Sequence, residues 1–348
     1  MAVAKKVPVN LITGFFGVGK TTTITSMIER KPAHESWAVL VNEFGSVALD
    51  QIIYDNVQGN SGVFITEIPG GCICCATNIT VSAAMRDILS KTTPDRLLIE
   101  PTGMGHSGNI IEQLKSGVKE DIIKLKPVIC LVDARYIADP RIQSAAEFKE
   151  QVESADILVA SKADKASEKQ LQDFTKWGIS LNPPKLGTSH IIDGNLDLSF
   201  LDLDIGLSDR SEKAETLQEI SSKVQMQNSF DDLKMGRPKR LENVGEDFRG
   251  CGWIFSPHDV FDRDLLTNRL ANASIFSEGD KLRILRLKGV FRVGTDWLLI
   301  NRISDEITIS PVSHSKDSRL EVIVDKHAKV NWKAFEYQLV NIIKARNV

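Results

Sequence analysis

The sequence predicts a doubly wound α/β domain built on a mainly parallel sheet, followed by a smaller α+β domain. Between Val7 and Asp164, short continuous runs of Val, Ile and Leu alternate with helix-like stretches, and such runs are typical of strands buried on both faces. Strands that alternate with helices indicate parallel βαβ units. After Cys251, strand-like segments dominate, among them LRILRLKGVFRV and RLEVIVD, which predicts an antiparallel sheet with helices on one face.

The length of the chain also favours two domains. It has 348 residues, whereas single hydrophobic cores stop growing at about 250 to 300 residues. Residues 1–205 are assigned to the first domain and residues 250–348 to the second. The stretch 206–249 between them is rich in Lys, Glu, Ser and Asp and poor in aromatic residues, so we predict a polar linker with some helix.

Composition excludes several broad classes of protein. Charged residues make up 26% of the chain and the formal net charge is -3, so neither disorder nor a nucleic-acid partner is predicted. The apolar runs are strand-sized, far short of the roughly 20 residues that a membrane span needs. The N-terminus passes directly into a strand-like segment without the apolar stretch of a secretory signal. The sequence therefore predicts a cytoplasmic protein with no membrane partner.

The sharpest motif is GFFGVGKT, which lies between a predicted strand and a predicted helix. Backbone amides of such a loop cradle phosphate oxygens, and the helix N-terminus adds the positive end of its dipole. We expect Lys20 to reach the β and γ phosphates of a nucleotide and the Thr21 hydroxyl to ligate magnesium. The predicted nucleotide-binding residues here are Gly14, Phe15, Phe16, Gly17, Val18, Gly19, Lys20, Thr21 and Thr22.

A second part of the nucleotide site is predicted at EPTG. Glu100 ends the apolar strand RLLIE, where a carboxylate is placed to hold magnesium through water. Gly103 gives the next segment the freedom to respond to a γ-phosphate. Lys20, Thr21 and Glu100 are thus the predicted catalytic residues, and no catalytic base is identifiable.

The base of the nucleotide is predicted from SKAD, which follows the strand-like DILVA. Asp164 is expected to accept hydrogen bonds from the guanine edge, and Lys162 to lie along the ring. Ser161 stands where guanine-binding proteins usually carry an Asn that braces the loop. The pattern favours GTP over ATP, and the alternative is a polar turn before a helix.

Three of the five cysteines crowd into GGCICC, which suits a reduced compartment and a metal better than a disulfide framework. Thiolates at this spacing bind zinc, cobalt or copper(I), and the alternative is a redox-active cluster. Cys72 and Cys74 are expected to bind one ion together. Cys75 is either a further ligand of that ion or lies next to the site. A fourth ligand is needed for tetrahedral closure, and Glu43, His106 and water are the candidates.

The two remaining cysteines, Cys130 and Cys251, lie among apolar neighbours in the sequence. Free cysteines in such surroundings behave as small hydrophobic residues. Both are predicted to be inert core thiols.

With GFFGVGKT, NEFG, GGCICC, EPTG and SKAD in this order, the chain resembles the CobW-type GTPases, relatives of the urease and hydrogenase nickel-insertion GTPases. CGWIF, LKGVFR and DSRLEVI in the C-terminal half are similar to the YeiR-like zinc-binding branch of that family. The resemblance implies slow GTP hydrolysis, zinc binding at Cys72, Cys74 and Cys75, and a role as a metallochaperone or in zinc homeostasis. Two departures are Ser46, where many relatives carry Glu, and a linker without a His-rich stretch, which favours one tight site over metal storage.

The leading hypothesis is a GTPase that binds GTP and hydrolyses it to GDP. This nucleotide cycle is expected to be coupled to the delivery of zinc to a client protein. One alternative is a G-protein-like switch with a structural metal, and another is cobalt as the cargo instead of zinc. A small-molecule kinase is a third, although the sequence has no evident acceptor site. The client and the oligomeric state stay open, including a nucleotide-dependent homo-oligomer.

Overall fold

The computed structural model describes residues 6–41, 62–67, 79–103, 106–203, 233–244, 248–271, 284–303, 306–312, 315–325, 327–328 and 330–344. These residues belong to two compact units, the first ending at residue 203 and the second starting at residue 233. The strands of the first unit are β1 (Val7–Gly14), β2 (Trp37–Val41), β3 (Val63–Glu67), β4 (Arg96–Glu100), β5 (Ile123–Leu125), β6 (Ile129–Asp133), β7 (Ile157–Ser161) and β8 (Gly187–His190). Its helices are α1 (Lys20–Glu29), α2 (Ile79–Thr92), α3 (Ser107–Lys119), α4 (Pro140–Ser144), α5 (Ala146–Ser154) and α6 (Glu168–Ser180).

The first unit is built on a parallel sheet with the strand order β3-β2-β4-β1-β6-β7-β8, and β5 pairs with the start of β1. Every neighbouring pair of these strands is parallel. The predicted mainly parallel sheet is therefore confirmed. Because the strands run the same way, their carboxyl ends lie along one edge, which is where α/β sheets of this kind bind ligands.

Helices cover both faces of this sheet. Ile99 of β4 lies in the main hydrophobic cluster with Val81 of α2 and Leu114 of α3. The next residue, Glu100, instead contacts Thr21 of α1. Because successive side chains of a strand point to opposite faces, α1 lies on the face opposite to α2 and α3. Burial on both faces explains the continuous apolar runs in the sequence.

A polar cluster ties the last described residues of the first unit to the amino end of β4. Arg96 donates to both carboxylate oxygens of Asp202, at 2.9 and 2.8 Å, and to Oδ1 of Asn10 at 2.6 Å. The Arg96 guanidinium also lies over the Trp37 ring, 5.5 Å from its centroid. Burial opposes ionisation of Asp202, but the neighbouring cations Arg96 and Lys126 outweigh it and hold its pKa below the usual value.

The second unit is an antiparallel sheet with the order β13-β12-β11-β14-β10-β9. Its strands are β9 (Lys239–Val244), β10 (Phe248–Ile254), β11 (Ile284–Val293), β12 (Asp296–Ile303), β13 (Glu306–Val312) and β14 (Arg319–Asp325), and its helices are α7 (Arg263–Ala271) and α8 (Trp332–Val340). Leu266 of α7 and Phe335 of α8 share one hydrophobic cluster with Trp253 of β10. The predicted α+β domain, with helices on one face of the sheet, is confirmed.

The predicted linker was too long at its carboxyl end. Residues 239–244, which the sequence placed in the linker, form β9 and pair with β10 in the second unit. Leu241 of β9 packs against a small hydrophobic cluster that contains Ile254 of β10. A strand at the edge of a sheet can be stable with few apolar residues, so its polar composition resembled that of a linker.

The longest helix among the described residues is α2, with 14 residues. No helix in the described part of the chain is both long enough and apolar enough to cross a membrane.

Candidate functional site

The predicted phosphate loop connects β1 to α1 at the carboxyl edge of the parallel sheet. Gly19 immediately precedes α1 and has a φ of 94°, a left-handed conformation that glycine adopts without the steric cost of a Cβ atom. This conformation lets the loop turn directly into the first residue of α1, Lys20. The loop therefore lies at the electropositive end of the α1 dipole.

Lys20 is held by the backbone of its own loop. Its Nζ donates to the carbonyl oxygens of Gly14 at 2.9 Å and Phe15 at 3.2 Å, and the residue is only 8% exposed. Its ammonium group is thus fixed next to the end of β1. The contact of Lys20 with nucleotide phosphates stays a prediction, and this position is compatible with it.

Thr21 and Glu100 join the start of α1 to the end of β4. The Thr21 hydroxyl donates to Oε1 of Glu100 at 2.8 Å, and Glu100 is 2% exposed. A hydroxyl and a carboxylate are hard oxygen ligands of the kind that Mg²⁺ prefers. The two residues that the sequence assigned to magnesium are therefore adjacent, and the donor set fits the ion.

Gly103 packs directly against the phosphate loop. A Cβ atom on Gly103 would lie 2.8 Å from Cδ1 of Phe16 and 3.1 Å from its backbone nitrogen, so a larger residue does not fit without a shift. The Gly103 carbonyl accepts a 3.2 Å hydrogen bond from Nε2 of Gln151 on α5. The segment after β4 is thus fixed between the phosphate loop and α5.

His106, a candidate for the fourth zinc ligand, has a carboxylate partner. Its Nδ1 forms a hydrogen bond with Oε2 of Glu150 on α5, and the other oxygen of Glu150 accepts from the Gly108 amide at 2.9 Å. Within the described ranges, no group of three or more His, Cys, Asp or Glu side chains is arranged to hold a metal ion. The remaining predicted zinc ligands, Glu43, Cys72, Cys74 and Cys75, lie outside the described residues, so the zinc site stays a prediction.

The residues predicted to contact the base also lie at the carboxyl edge, after β7. Ser161 is buried and its hydroxyl donates to the Val132 carbonyl at 3.4 Å. Lys162 has a φ of 53° and starts a short 3-10 turn that contains Asp164, which is exposed. Base recognition by these residues stays a prediction, and the exposed Asp164 carboxylate is accessible for it.

One segment of the site was not identified from the sequence. The residues after β8 approach both α1 and residues 161–164, the segment predicted to contact the base and called the base loop below. The Ile191 carbonyl accepts from the Ala163 amide of this loop at 3.0 Å. A Cβ atom on Gly194 would lie 2.8 Å from the Thr22 carbonyl oxygen. The Asp-Gly pair at Asp193 and Gly194, a frequent turn signal, marks this segment in the sequence.

Asp133 was also not singled out from the sequence. It ends β6, between the strands that lead to the phosphate loop and to the base loop. Its carboxylate accepts from Nε and Nη2 of Arg135 at 2.9 and 2.7 Å, and the guanidinium lies 5.1 Å from the centroid of the Tyr136 ring. The signal for it was a carboxylate at the end of a buried strand, the same signal that identified Glu100.

Comparison with known proteins agrees with this geometry. Residues 8–186 match the family model described as CobW/HypB/UreG, nucleotide-binding domain. The chain is 34% identical over 336 residues to the zinc chaperone YeiR of Escherichia coli K12, covering 96% of this chain and 97% of YeiR. It is 33% identical over 201 residues to the zinc chaperone YjiA of the same organism, covering 56% of this chain and 60% of YjiA.

Among solved structures, the crystal structure of the Zn(II)-bound YjiA GTPase from E. coli aligns with 98% of this chain and 100% of its own, at 20% sequence identity and a TM-score of 0.37. The family assignment therefore depends on the sequence matches and not on this structural likeness.

Proposed function

The chain belongs to the CobW/HypB/UreG family of nucleotide-binding proteins, and from that premise we propose that it is a zinc metallochaperone that binds and hydrolyses GTP. In this proposal the nucleotide cycle of the first domain controls the transfer of zinc to a client protein. The observation that carries the hydrolytic part is the meeting of Thr21 and Glu100 beside Lys20, at the carboxyl edge of the parallel sheet. The zinc part depends on the GGCICC motif, which falls within the residues matched by the family.

The phosphate loop and α1 supply the groups that bind and orient the phosphates. The backbone amides at the start of α1 and the Lys20 ammonium together provide positive charge for the β and γ phosphates. Lys20 is already held within the loop by two carbonyl oxygens, which limits the rotamers that it must give up on binding. The Lys20 ammonium group is therefore largely preorganised for the phosphate binding proposed here.

Magnesium is part of the proposal, with Thr21 as a direct ligand and Glu100 as a ligand through water. When bound, the ion would neutralise charge that develops on the phosphate oxygens during transfer. The buried position of Glu100 supports this role, because a carboxylate removed from water gains from a nearby cation. No general base is assigned among the described residues.

Guanine is the proposed base. The exposed carboxylate of Asp164 can accept from both donors on the guanine edge, whereas the corresponding edge of adenine offers a different pattern. The adjoining Ala163 amide is fixed to the segment after β8, which supports a defined loop geometry. Ser161 contributes to that geometry through its bond to the Val132 carbonyl.

Zinc is the proposed cargo, bound by Cys72, Cys74 and Cys75. Three thiolates bind zinc far better than magnesium or calcium, so the metal site and the nucleotide site would not compete for the same ion. The cysteines lie in the sequence between β3 and α2, and Glu100 follows α2 on β4. A change at the nucleotide can alter zinc binding only if the two nucleotide states differ in their affinity for zinc.

The decisive experiment measures that difference. Zinc affinity would be determined by competition with a chelating dye, for the protein alone, with Mg²⁺ and GDP, and with Mg²⁺ and a non-hydrolysable GTP analogue. We expect the affinities in the two nucleotide states to differ about tenfold or more, which corresponds to about 1.4 kcal/mol of coupling. Equal zinc affinities in all three states would reject a nucleotide-controlled carrier and favour a docking switch with a structural metal.

Two variants serve as controls for this experiment. Lys20→Ala is expected to retain zinc but to lose GTP hydrolysis and the nucleotide dependence of zinc affinity. The double variant Cys72→Ser with Cys74→Ser is expected to lose tight zinc binding and to keep nucleotide binding. Cobalt titrated in parallel decides the identity of the cargo, because tighter binding of cobalt than of zinc at equal pH would contradict the assignment.

A further inference from the structure

Helix α5 contacts the segment after β4 through two consecutive residues, Glu150 and Gln151. Gln151 is fully buried and donates to the Gly103 carbonyl at 3.2 Å. Glu150 accepts from the Gly108 amide at 2.9 Å and pairs with His106. One helix therefore holds the backbone before and after residues 104–105.

The same helix also contacts the phosphate loop. The Phe148 ring of α5 packs edge-on against Phe15, with ring centroids 6.3 Å apart. Gly103, which Gln151 holds, lies against Phe16 of the same loop. Side chains of helix α5 thus contact both the phosphate loop and the segment after β4.

The contact of Glu150 differs in kind from that of Gln151. Gly108 is the second residue of α3, so its amide is one of those that have no partner within the helix. A carboxylate that accepts from such an amide is favoured by the helix dipole as well as by the hydrogen bond. Glu150 therefore fixes the start of α3, where the buried hydroxyls of Ser107 and Thr13 also meet at 3.0 Å.

We propose that Glu150 and Gln151 are positioning residues that set how strongly the first domain distinguishes a nucleoside triphosphate from a diphosphate. The inference rests on the proposed function and on the expectation from the sequence that Gly103 lets the segment after β4 respond to the γ-phosphate. Gln151 holds the Gly103 carbonyl and so fixes the orientation of its peptide group, while Glu150 holds the start of α3. A group that contacts the γ-phosphate must be held to within about 0.5 Å to be effective, whereas contacts to the α and β phosphates come from the phosphate loop itself.

The proposal predicts a selective loss of triphosphate affinity. Gln151→Met keeps the length of the side chain and removes the amide donor. We expect it to raise Kd for a non-hydrolysable GTP analogue about fivefold or more, while Kd for GDP changes less than about twofold. Glu150→Ala should act in the same direction but more weakly, because the bond between Ser107 and Thr13 still fixes α3.

Conservative and matched variants separate positioning from a general structural role. Glu150→Gln keeps an oxygen acceptor for the Gly108 amide and should restore most of the triphosphate affinity lost in Glu150→Ala. Glu153→Ala on the exposed side of α5 and Gln172→Met on the exposed side of α6 should leave both affinities unchanged. Thermal unfolding of each variant is measured alongside.

The test uses the full chain with Mg²⁺ and fluorescent analogues of GDP and GTP. A fall in both affinities by the same factor, or no change in their ratio in Gln151→Met and Glu150→Ala, overturns the proposal. Glu150 is half-buried, so its variants test the inference even if Gln151→Met does not fold. Hydrolysis and zinc binding of the wild-type protein are measured separately, so failure of the proposed function is distinguishable from failure of this inference.

Discussion

The Thr21 hydroxyl and the Glu100 carboxylate, 79 positions apart in the sequence, meet at 2.8 Å where α1 begins and β4 ends. Parallel pairing of β1 with β4 brings their carboxyl ends together and so makes this contact possible. The last residue of the GFFGVGKT motif and the last residue of β4 therefore lie side by side at the carboxyl edge of the sheet.

Replacing Glu100 by Gln removes its charge and keeps a hydrogen-bond acceptor for Thr21. We expect kcat for GTP hydrolysis to fall about 100-fold or more, because in the proposed function this charge supports magnesium in the transition state. The concentration of Mg²⁺ needed for half-maximal activity should rise as well. Glu29→Gln, an exposed change at the end of α1, is the control, and wild-type hydrolysis in Glu100→Gln would contradict the assigned role.

Gly103→Ala would place a Cβ atom 2.8 Å from the Phe16 ring and 3.1 Å from the Phe16 nitrogen. Because backbone must shift to relieve this contact, we expect a loss of about 1 to 3 kcal/mol in stability, together with weaker nucleotide binding. Gly187→Ala is a matched control, since no described atom lies within 4 Å of the added Cβ. Urea unfolding and nucleotide titration check both effects, and identical behaviour of the two variants would mean that the close approach at Gly103 has no consequence.

Two of the five cysteines should resist thiol reagents in the folded protein. Burial raises the pKa of Cys130 to about 12, and burial, reinforced by Glu242, raises the pKa of Cys251 as well. At pH 8 neither thiol forms enough thiolate to react, so a chromogenic disulfide should react quickly with three of the five thiols in the metal-free protein.

Zinc should protect these fast thiols if Cys72, Cys74 and Cys75 hold the ion. The Cys130→Ala variant should give the same count of fast thiols as the wild-type protein. Fast reaction of four or more thiols at pH 8 would show that one of the two buried positions opens readily.

The ion pair between Asp202 and Arg96 should contribute to stability at neutral pH but not in acid. Because the pKa of Asp202 is lower in the folded state, its contribution is fully present above the unfolded value of about 3.9 and is lost as pH falls through the folded value. The Asp202 side chain is 59% exposed, so screening limits the effect of Asp202→Asn at pH 7 to about 1 kcal/mol.

Urea unfolding of Asp202→Asn and the wild-type protein at pH 7 and pH 3 measures this difference, which should shrink at the lower pH. Asp173→Asn, which breaks an exposed pair with Lys169 on α6, serves as the control. If the difference in unfolding free energy between Asp202→Asn and wild type persists or grows in acid, ionised Asp202 is not the source of the stabilisation.

The local parts of this protein were predictable from the sequence, and the long-range parts were not. GFFGVGKT predicted the loop between β1 and α1 because its residues are contiguous, and the apolar runs predicted the parallel sheet because burial on both faces is recorded in each strand separately. The pairing of His106 with Glu150 depends on how α3 and α5 pack, and nothing in the sequence of α5 distinguishes it from an ordinary amphipathic helix. Leu241 was missed for a related reason, since one apolar residue among charges gives little signal of an edge strand.

The number of residues in strand β4 is constrained by contacts at its two ends. Arg96 at its first position reaches Asp202, and Glu100 at its fifth position reaches Thr21, so both side chains lie on the same face. The insertion of a single residue between them would turn one of the two side chains into the apolar core, whereas two inserted residues would restore the face and lengthen the strand by about 7 Å. Homologous or designed chains should therefore tolerate exchanges among apolar residues of similar size at the three buried positions between them more readily than the insertion or deletion of one residue.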